Sequence, residues 1–344
     1  YISLEANLET KSTSARILIK SSGSIVTSQS TSIKTAGGAI VLWSNSDNNT
    51  AVGGRVTIAS GTTLNSSGGD IVIGGGETAD SNGYPSGFAK SQNNFGVNSI
   101  ALSGNIVSGG GDVILRGETP DGSGTEEAIS GVRLFLGSSI DSGAGDISIS
   151  GRLSAGSTST YSMWAVYIGF PSATATVTLS STVGQILVSG DASNYTGNLT
   201  NRGGLWLYNG RVSSSGNVKL EGRAAPNSEG FSRDLRGASD ADFRISTSGN
   251  VTFDGATRSS QASKQRGTID LRGIQVLNAD SLLIRTDNLI GDFASKLRAN
   301  SIVIDKALGS DGSNTILSIT STVDIHQSTG DVTIGSASVR SVSV

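Results

Sequence analysis

The chain predicts an all-β fold, a single-stranded parallel β-helix (β-solenoid) of about ten coils with loop inserts along one edge. Three observations carry the prediction. A short motif, Gly, then usually Asp or Asn, then apolar–any–apolar, recurs ten times along the 344 residues. Two of its copies, at Asp280 and Asn300, are only 20 residues apart, room for three short strands and their turns at ~3.3 Å per residue and for nothing else. No stretch keeps a 3.6-residue apolar period, and Gly or Ser interrupts every candidate helix.

The copies run the length of the chain. They read TAGGAIVLWS from Thr35, SSGGDIVIGGG from Ser66, VSGGGDVILRG from Val107, DSGAGDISISG from Asp141 and STVGQILVSG from Ser181. SSSGNVKLEG follows from Ser213, STSGNVTFDG from Ser246 and QSTGDVTIGS from Gln327, with degenerate copies ADSLLIRT at Ala279 and ANSIVID at Ala299. Upstream of most lies a second alternating run, such as RVTIASG at Arg55, SIALSG at Ser99, VRLFLG at Val132, GLWLYNG at Gly204 and TIDLRG at Thr268. From Leu102 to Val113, Leu136 to Ile147, Leu207 to Val218 and Leu271 to Leu282 the separation is constant at 11 residues. Leu64, Ile106, Ile140, Val212 and Val276 stand between the runs as a short third strand. The copy near Gly184 has TVTL too close upstream and does not fit this register. A propeller blade would need four strands in the 20-residue step, so a three-strand coil is the unit.

This architecture assigns a task to each abundant residue. Alternating Val, Ile and Leu turn into the bore and stack, while Ser, Thr, Lys and Arg face water. Glycines are expected at corners that need positive φ. The Asp or Asn that follows tolerates left-handed geometry and bonds neighbouring backbone, and stacked Asn would form an internal ladder.

Composition removes several function classes. The chain has 47 Gly and 59 Ser, 15% charged residues and a net charge of −3. Without a basic excess there is no footprint for nucleic acid. The absence of Cys excludes a disulfide scaffold and thiolate metal sites. No apolar run approaches the ~18 residues of a membrane helix, so membrane insertion is not expected. The opening YISLEANLET reads as a mature form or as a piece of something longer, and residues 1–344 read as one solenoid domain.

Candidates for chemistry are few. GGGDVILRG resembles a phosphate loop, but its glycines precede a strand and no helix follows. The single histidine, His326, lies in the alternating VDIHQS and reads as a surface residue rather than a triad member. With one His and no Cys, a zinc site is not expected. Carboxylates that could converge on a polysaccharide are Glu126 and Glu127, Asp240 and Asp242, and Asp234 beside Arg233 and Arg236; the last five fall in the insert Ala225 to Phe243. Oxygen-rich SNSDNNT (Ser44 to Thr50) and SDGSN (Ser310 to Asn314) raise Ca2+ without matching a known loop; no other cofactor is expected.

The inserts, at 44–54, 77–97, 118–130, 153–165, 190–203, 223–242 and 255–266, all follow the same strand and so emerge along one edge. They carry Tyr84, Phe88, Phe95, Tyr161, Trp164, Tyr195 and Phe231, aromatics that suit contact with a glycan or a protein. The competing reading is that these rings fold down and cover a sheet face.

Through GGAIVLWSNSD, SSGGDIVIGGG, SGNIVSGGGDVILRG and SGAGDISISG the chain resembles the β-strand-repeat regions of large bacterial surface proteins, the filamentous-haemagglutinin-like adhesins and autotransporter passenger domains. The resemblance covers nearly the whole chain. It implies a right-handed β-helix, exported unfolded and displayed outside the cell. No NPNG-type secretion signature and no membrane-barrel strands accompany it. The leading expectation is an extracellular structural or adhesive fibre segment that continues or self-associates end to end, since open end coils leave strand edges exposed. A polysaccharide lyase or hydrolase, and a glycan- or host-protein-binding module without catalysis, are the alternatives.

Overall fold

The structure is a computed structural model that describes residues 1–49, 53–93, 97–122, 128–157, 162–170, 175–195, 202–224, 233–238, 240–255, 268–286, 288–290, 295–305, 318–320, 324–327 and 332–334. The side chains of 128, 233, 234, 288, 305 and of 318 onward are outside the description. Among these residues there is no helix, and three sheets, each with a parallel path of eleven strands and one with two further insert strands, wind together as a parallel β-solenoid of eleven coils. The expected fold class is correct, with one coil more than the repeat count suggested. At ~4.8 Å per coil the rod is about 50 Å long.

Each coil contributes one strand to each of three walls. In coil 4 these are Ile100–Leu102 on wall 1, Asn105–Val107 on wall 2 and Val113–Glu118 on wall 3. The repeat motif is the wall-3 strand with the corner before it. Wall 3 stacks Ile40, Ile71, Val113, Ile147, Ile186 and Val218 in register, and each is at most 1% exposed. On wall 2 the predicted middle residues Leu64, Ile106 and Ile140 pair in one column that continues through Leu179 to Val212. Burying each such side chain contributes roughly 1.5–3 kcal/mol before the entropic cost of ordering the chain. The bare coil is also present: Ser281 pairs with Ser301, 20 residues on.

The coil that resisted registration is resolved by the structure. TVTL contributes Val177–Ser180 to wall 2, not wall 1, pairing with Ser139–Asp141 and Asn209–Ser214. The wall-1 strand of that coil is Ser162–Ile168, which the sequence reading had placed partly in an insert. Likewise Ala128–Leu134 and Arg233–Arg236 are wall-1 strands that begin inside the expected inserts 118–130 and 223–242. A wall strand here needs only two inward apolar side chains, so Gly, Ser and Arg fill its other places and erase the alternation.

The motif glycine has a different reason from the one expected. Gly38, Gly69, Gly111, Gly145 and Gly184 do not occupy the positive-φ region. A Cβ on Gly69 would sit 2.4 Å from the Gly38 carbonyl oxygen, one on Gly111 2.3 Å from that of Gly69, and one on Gly145 2.1 Å from that of Gly111. These glycines let consecutive coils touch through backbone. In the first three of these corners positive φ belongs to the residue before, Gly37 (109°), Gly68 (118°) and Gly110 (136°).

Two polar ladders follow the same corner. Buried hydroxyls of Thr35, Ser66, Ser108 and Ser142 each face the carbonyl three residues on, at Gly38, Gly69, Gly111 and Gly145. Each of the first three is shared with a carbonyl of the next coil, Thr35 Oγ1 to Ser66 O at 3.0 Å, Ser66 Oγ to Ser108 O at 3.1 Å and Ser108 Oγ to Ser142 O at 3.0 Å. The motif Asp and Asn form the second ladder. The Asp112 N–H donates to Asp70 Oδ1 at 2.9 Å, that of Asp146 to Asp112 Oδ1 at 2.9 Å and that of Asn250 to Asn217 Oδ1 at 3.0 Å. The neighbour-bonding expectation is right, but the ladder runs along the outside and none of these residues is left-handed. The acids cap N–H groups that the corner would leave unpaired.

Candidate functional site

The inserts leave the rod between wall 3 and the next wall 1, along one edge as expected. There the walls pinch: a Cβ on Gly117 would lie 2.1 Å from the Gly131 carbonyl oxygen, on Gly151 1.9 Å from that of Ala165, and on Gly190 2.1 Å from that of Gly204. Beyond the pinch the insert roots build a second small core of Ile129, Leu153, Met163, Ala165, Ala192 and Tyr195.

The expected contact aromatics divide. Phe95, Tyr161 and Phe231 lie outside the described residues. Tyr84 and Phe88 belong to a hairpin in which Pro85–Gly87 folds back antiparallel on Ile71–Ala79. Tyr84 Oη donates to Asp70 Oδ2 at 2.9 Å, pinning the hairpin to the outer Asp ladder. Burial and the Asp70 carboxylate push the Tyr84 hydroxyl up to about 12. Phe88 lies 3.9 Å beneath the Arg152 guanidinium. Trp164 and Tyr195 are not exposed loop residues: Trp164 lies in the wall-1 strand Ser162–Ile168 at 0% exposure, and Tyr195 fills the second core at 1%. The apolar surface of these rings is better hidden than hydrated. For Trp164 and Tyr195 the fold-down reading is the one the structure bears out.

Trp164 leads to a feature the sequence reading passed over. On the outer face of wall 1, Arg133, Tyr167, Trp206, Arg236 and Asp270 occupy equivalent places in coils 5 to 9. The Arg133 guanidinium lies 4.6 Å from the Tyr167 ring centroid. Tyr167 stacks on Trp206 at 4.6 Å and 8°, and Arg236 closes the series 4.8 Å from Trp206. Trp164 packs on Trp206 at 5.2 Å, and Tyr208 meets it edge-on at 6.5 Å. The spacing follows from the coil rise, so flat side chains at one register position stack without adjustment. Burial pushes the Tyr167 hydroxyl up to about 12 against the pull of Arg133 and Arg236. Burial, then a hydrogen bond with Asp240, also raises the Tyr208 hydroxyl. The signal was present, since Arg133 follows Val132 in VRLFLG and Trp206 follows Leu205 in GLWLYNG, an outward place in both.

Each ring of the stack has neighbours from the coils before and after it, so ring edges, rather than faces, meet an approaching molecule. The accessible groups are half-buried Trp206 and Arg236, exposed Asp240, and Phe170 at 41% exposure, 5.7 Å from Arg133. The patch offers cation, indole edge and carboxylate to a polar partner.

The other candidates are accounted for as follows. Asp242 accepts Arg211 Nη2 at 2.6 Å and Arg244 Nε at 2.7 Å. Burial pushes its carboxyl up, but the two arginines hold it below the usual range. Asp240 is engaged by Tyr208; Glu126 and Glu127 lie outside the described residues, as do the Asp234 and Arg233 side chains. His326 falls on the wall-2 strand Asp324–Gln327, with its side chain outside the description. In the Ca2+ candidates, Asp47 Oδ1 accepts the Asn49 N–H at 3.1 Å, and 310–314 lies outside. Among the described residues no group of three or more His, Cys, Asp or Glu is placed to hold a metal ion. An open hydroxyl-lined groove of about 630 Å³ crosses the wall 2–wall 3 corner of coils 6 to 9, with Ser181, Thr182, Ser214, Ser248 and Asn278 along it.

Comparison with family models, with curated proteins and with solved structures finds no match to this chain.

Proposed function

We propose that the chain is a rod segment of an extracellular structural or adhesive fibre, in which the repeat supplies length and the outer wall supplies contact. The observation that carries this reading is where the repeat residues are used. Motif glycines, corner hydroxyls, outer carboxamides and carboxylates, and bore aliphatics all make coil-to-coil contacts. A scaffold so uniformly built serves spacing and display. Variation is confined to the inserts and to the cation–aromatic patch of coils 5 to 8, where a glycan or surface protein would be met.

The first coil presents a face for end-to-end stacking. Ile2, Leu8 and Ile17 are only half-buried, whereas their register partners Ile25, Ile33 and Ile40 are at 0%. A coil of another copy stacked there would cover them and pair the strand edge. Electron microscopy and light scattering of the purified chain test this. End-to-end rods whose length grows with concentration support it, and uniform single rods about 50 Å long at every concentration refute self-association.

A further inference from the structure

The insert at 77–97 does more than cover wall 3. Its parent strand stops pairing with the following coil beyond Ile73, and the insert returns as Ala89–Lys90, which pairs in parallel with Gly117–Glu118 and so takes the place its own coil vacated. This puts Lys90 at the head of a column of alternating charge, in register with Glu118, Arg152, Asp191 and Arg223. Lys90 is 8% exposed, and its Nζ has two carboxylates in reach: Glu118 Oε1 at 2.9 Å and Asp121 Oδ2 at 3.0 Å. Glu118, 9% exposed, is also bound by Arg152 Nε. The other oxygen of Asp121 accepts the Ser154 hydroxyl, and Asp121 accepts the Gly156 N–H as well.

We propose that Lys90 and Asp121 condense to an intramolecular isopeptide bond, with Glu118 as the proton relay. An amine, a carboxyl group with donors on its second oxygen and a separate carboxylate within reach of the amine are the parts amide formation needs. Nζ first gives a proton to Glu118, which passes it to Asp121 Oδ2, and the neutral amine then attacks Cγ of the neutral carboxyl group. The oxyanion that forms at Oδ1 is held by Ser154 Oγ–H. Two protons in all pass from Nζ through Glu118 to Oδ2, which leaves as water, so ammonium and carboxylate become one amide and one water. No oxidant or cofactor is required.

Asp121 starts as the anion: burial pushes its carboxyl up, but Ser154, Lys90 and the Gly156 N–H outweigh burial and hold it below the usual range. The reaction is accordingly slow and follows folding. Its driving force is the removal of two confined charges, each costly to desolvate, while Glu118 keeps Arg152 as its cation. The product ties the insert of coil 3 to the exit of coil 4 across 31 residues, a covalent staple between coils otherwise joined by hydrogen bonds and packing. It stands independently of the adhesive reading.

Intact mass spectrometry of the purified, aged protein is the test. The expected mass is lower than that of the sequence by one water, with a tryptic species joining the peptides of Lys90 and Asp121. Because Asp121–Gly122 can lose water as a succinimide on its own, Lys90→Arg is the deciding variant. It regains the full mass if the tie is to Lys90 and retains the loss if a succinimide is responsible, which overturns the proposal. Glu118→Gln should slow bond formation at least tenfold while leaving the β-sheet spectrum unchanged. Full mass in the wild-type protein after prolonged incubation also overturns the proposal.

Discussion

A Cβ placed on Gly69 would lie 2.4 Å from the carbonyl oxygen of Gly38, one coil earlier. That contact is backbone on backbone, so no side chain can move aside. Gly69→Ala is expected to cost about 2–3 kcal/mol through forced separation of coils 2 and 3. Gly68→Ala, where a Cβ meets nothing within 4 Å but φ is 118°, is expected to cost about 1–2 kcal/mol from backbone strain alone. Urea-unfolding midpoints of the two variants check the order, and a larger effect at Gly68 would contradict it.

The Ser108 hydroxyl serves Gly111 O and Ser142 O in a fully buried corner. Ser108→Ala leaves those carbonyls short of a donor and should destabilise by about 1–2 kcal/mol. Ser108→Thr should be nearly neutral, because Thr35 already fills the equivalent place. Thermal melts of the pair measure the difference.

Trp206 is packed by Tyr167, Trp164, Tyr208 and Arg236. Trp206→Ala should cost about 3 kcal/mol. It should also raise hydrogen exchange in coils 6 to 8 while leaving coils 2 to 4 protected, since solenoid contacts reach only nearest neighbours. Uniform loss of protection would argue against a local stack.

Alkaline stability follows from Tyr84 and Tyr167, whose hydroxyls are raised from 10.0 to about 12. Folded and unfolded chains hold these protons equally below pH 10, and above it the folded chain holds them more tightly. The stability linked to them is complete below pH 10 and falls as pH rises through about 12. Tyrosinate absorbance should show a delayed class of tyrosines, and Tyr84→Phe should remove one member of it.

Acid acts in the opposite sense on Asp242 and Glu221. Burial pushes both carboxyls up, but Arg211 and Arg244 at the first, and Arg223 and Lys219 at the second, hold them below their ordinary 3.8 and 4.5. Their contribution is present above those values and lost as pH falls through the lower folded ones. Asp242→Asn should flatten the acid limb of a plot of unfolding midpoint against pH.

The bore was legible because Ile147 and Ile149, or Val218 and Leu220, alternate with polar residues and cannot leave water any other way. TVTL fits no register in the sequence for the same reason: alternation marks a strand without saying which wall it joins, and only the pairing of Leu179 with Ile140 and Val212 decides that. The contact site was less legible. Trp164 reads as a loop aromatic because Gly, Ser and Thr precede it, yet it is buried against Trp206 of the next coil.

Period and turn chemistry are local, so they specify the coil, its three short strands and the edge from which inserts leave. What the coils do to one another depends on how they stack. Stacking turned the motif glycine from a matter of φ into one of backbone contact and joined Arg133, Tyr167, Trp206 and Arg236 into one stack. It also placed Lys90 between Glu118 and Asp121. These residues are roughly 30 or more apart along the chain, and the ~4.8 Å rise of the coil makes them neighbours.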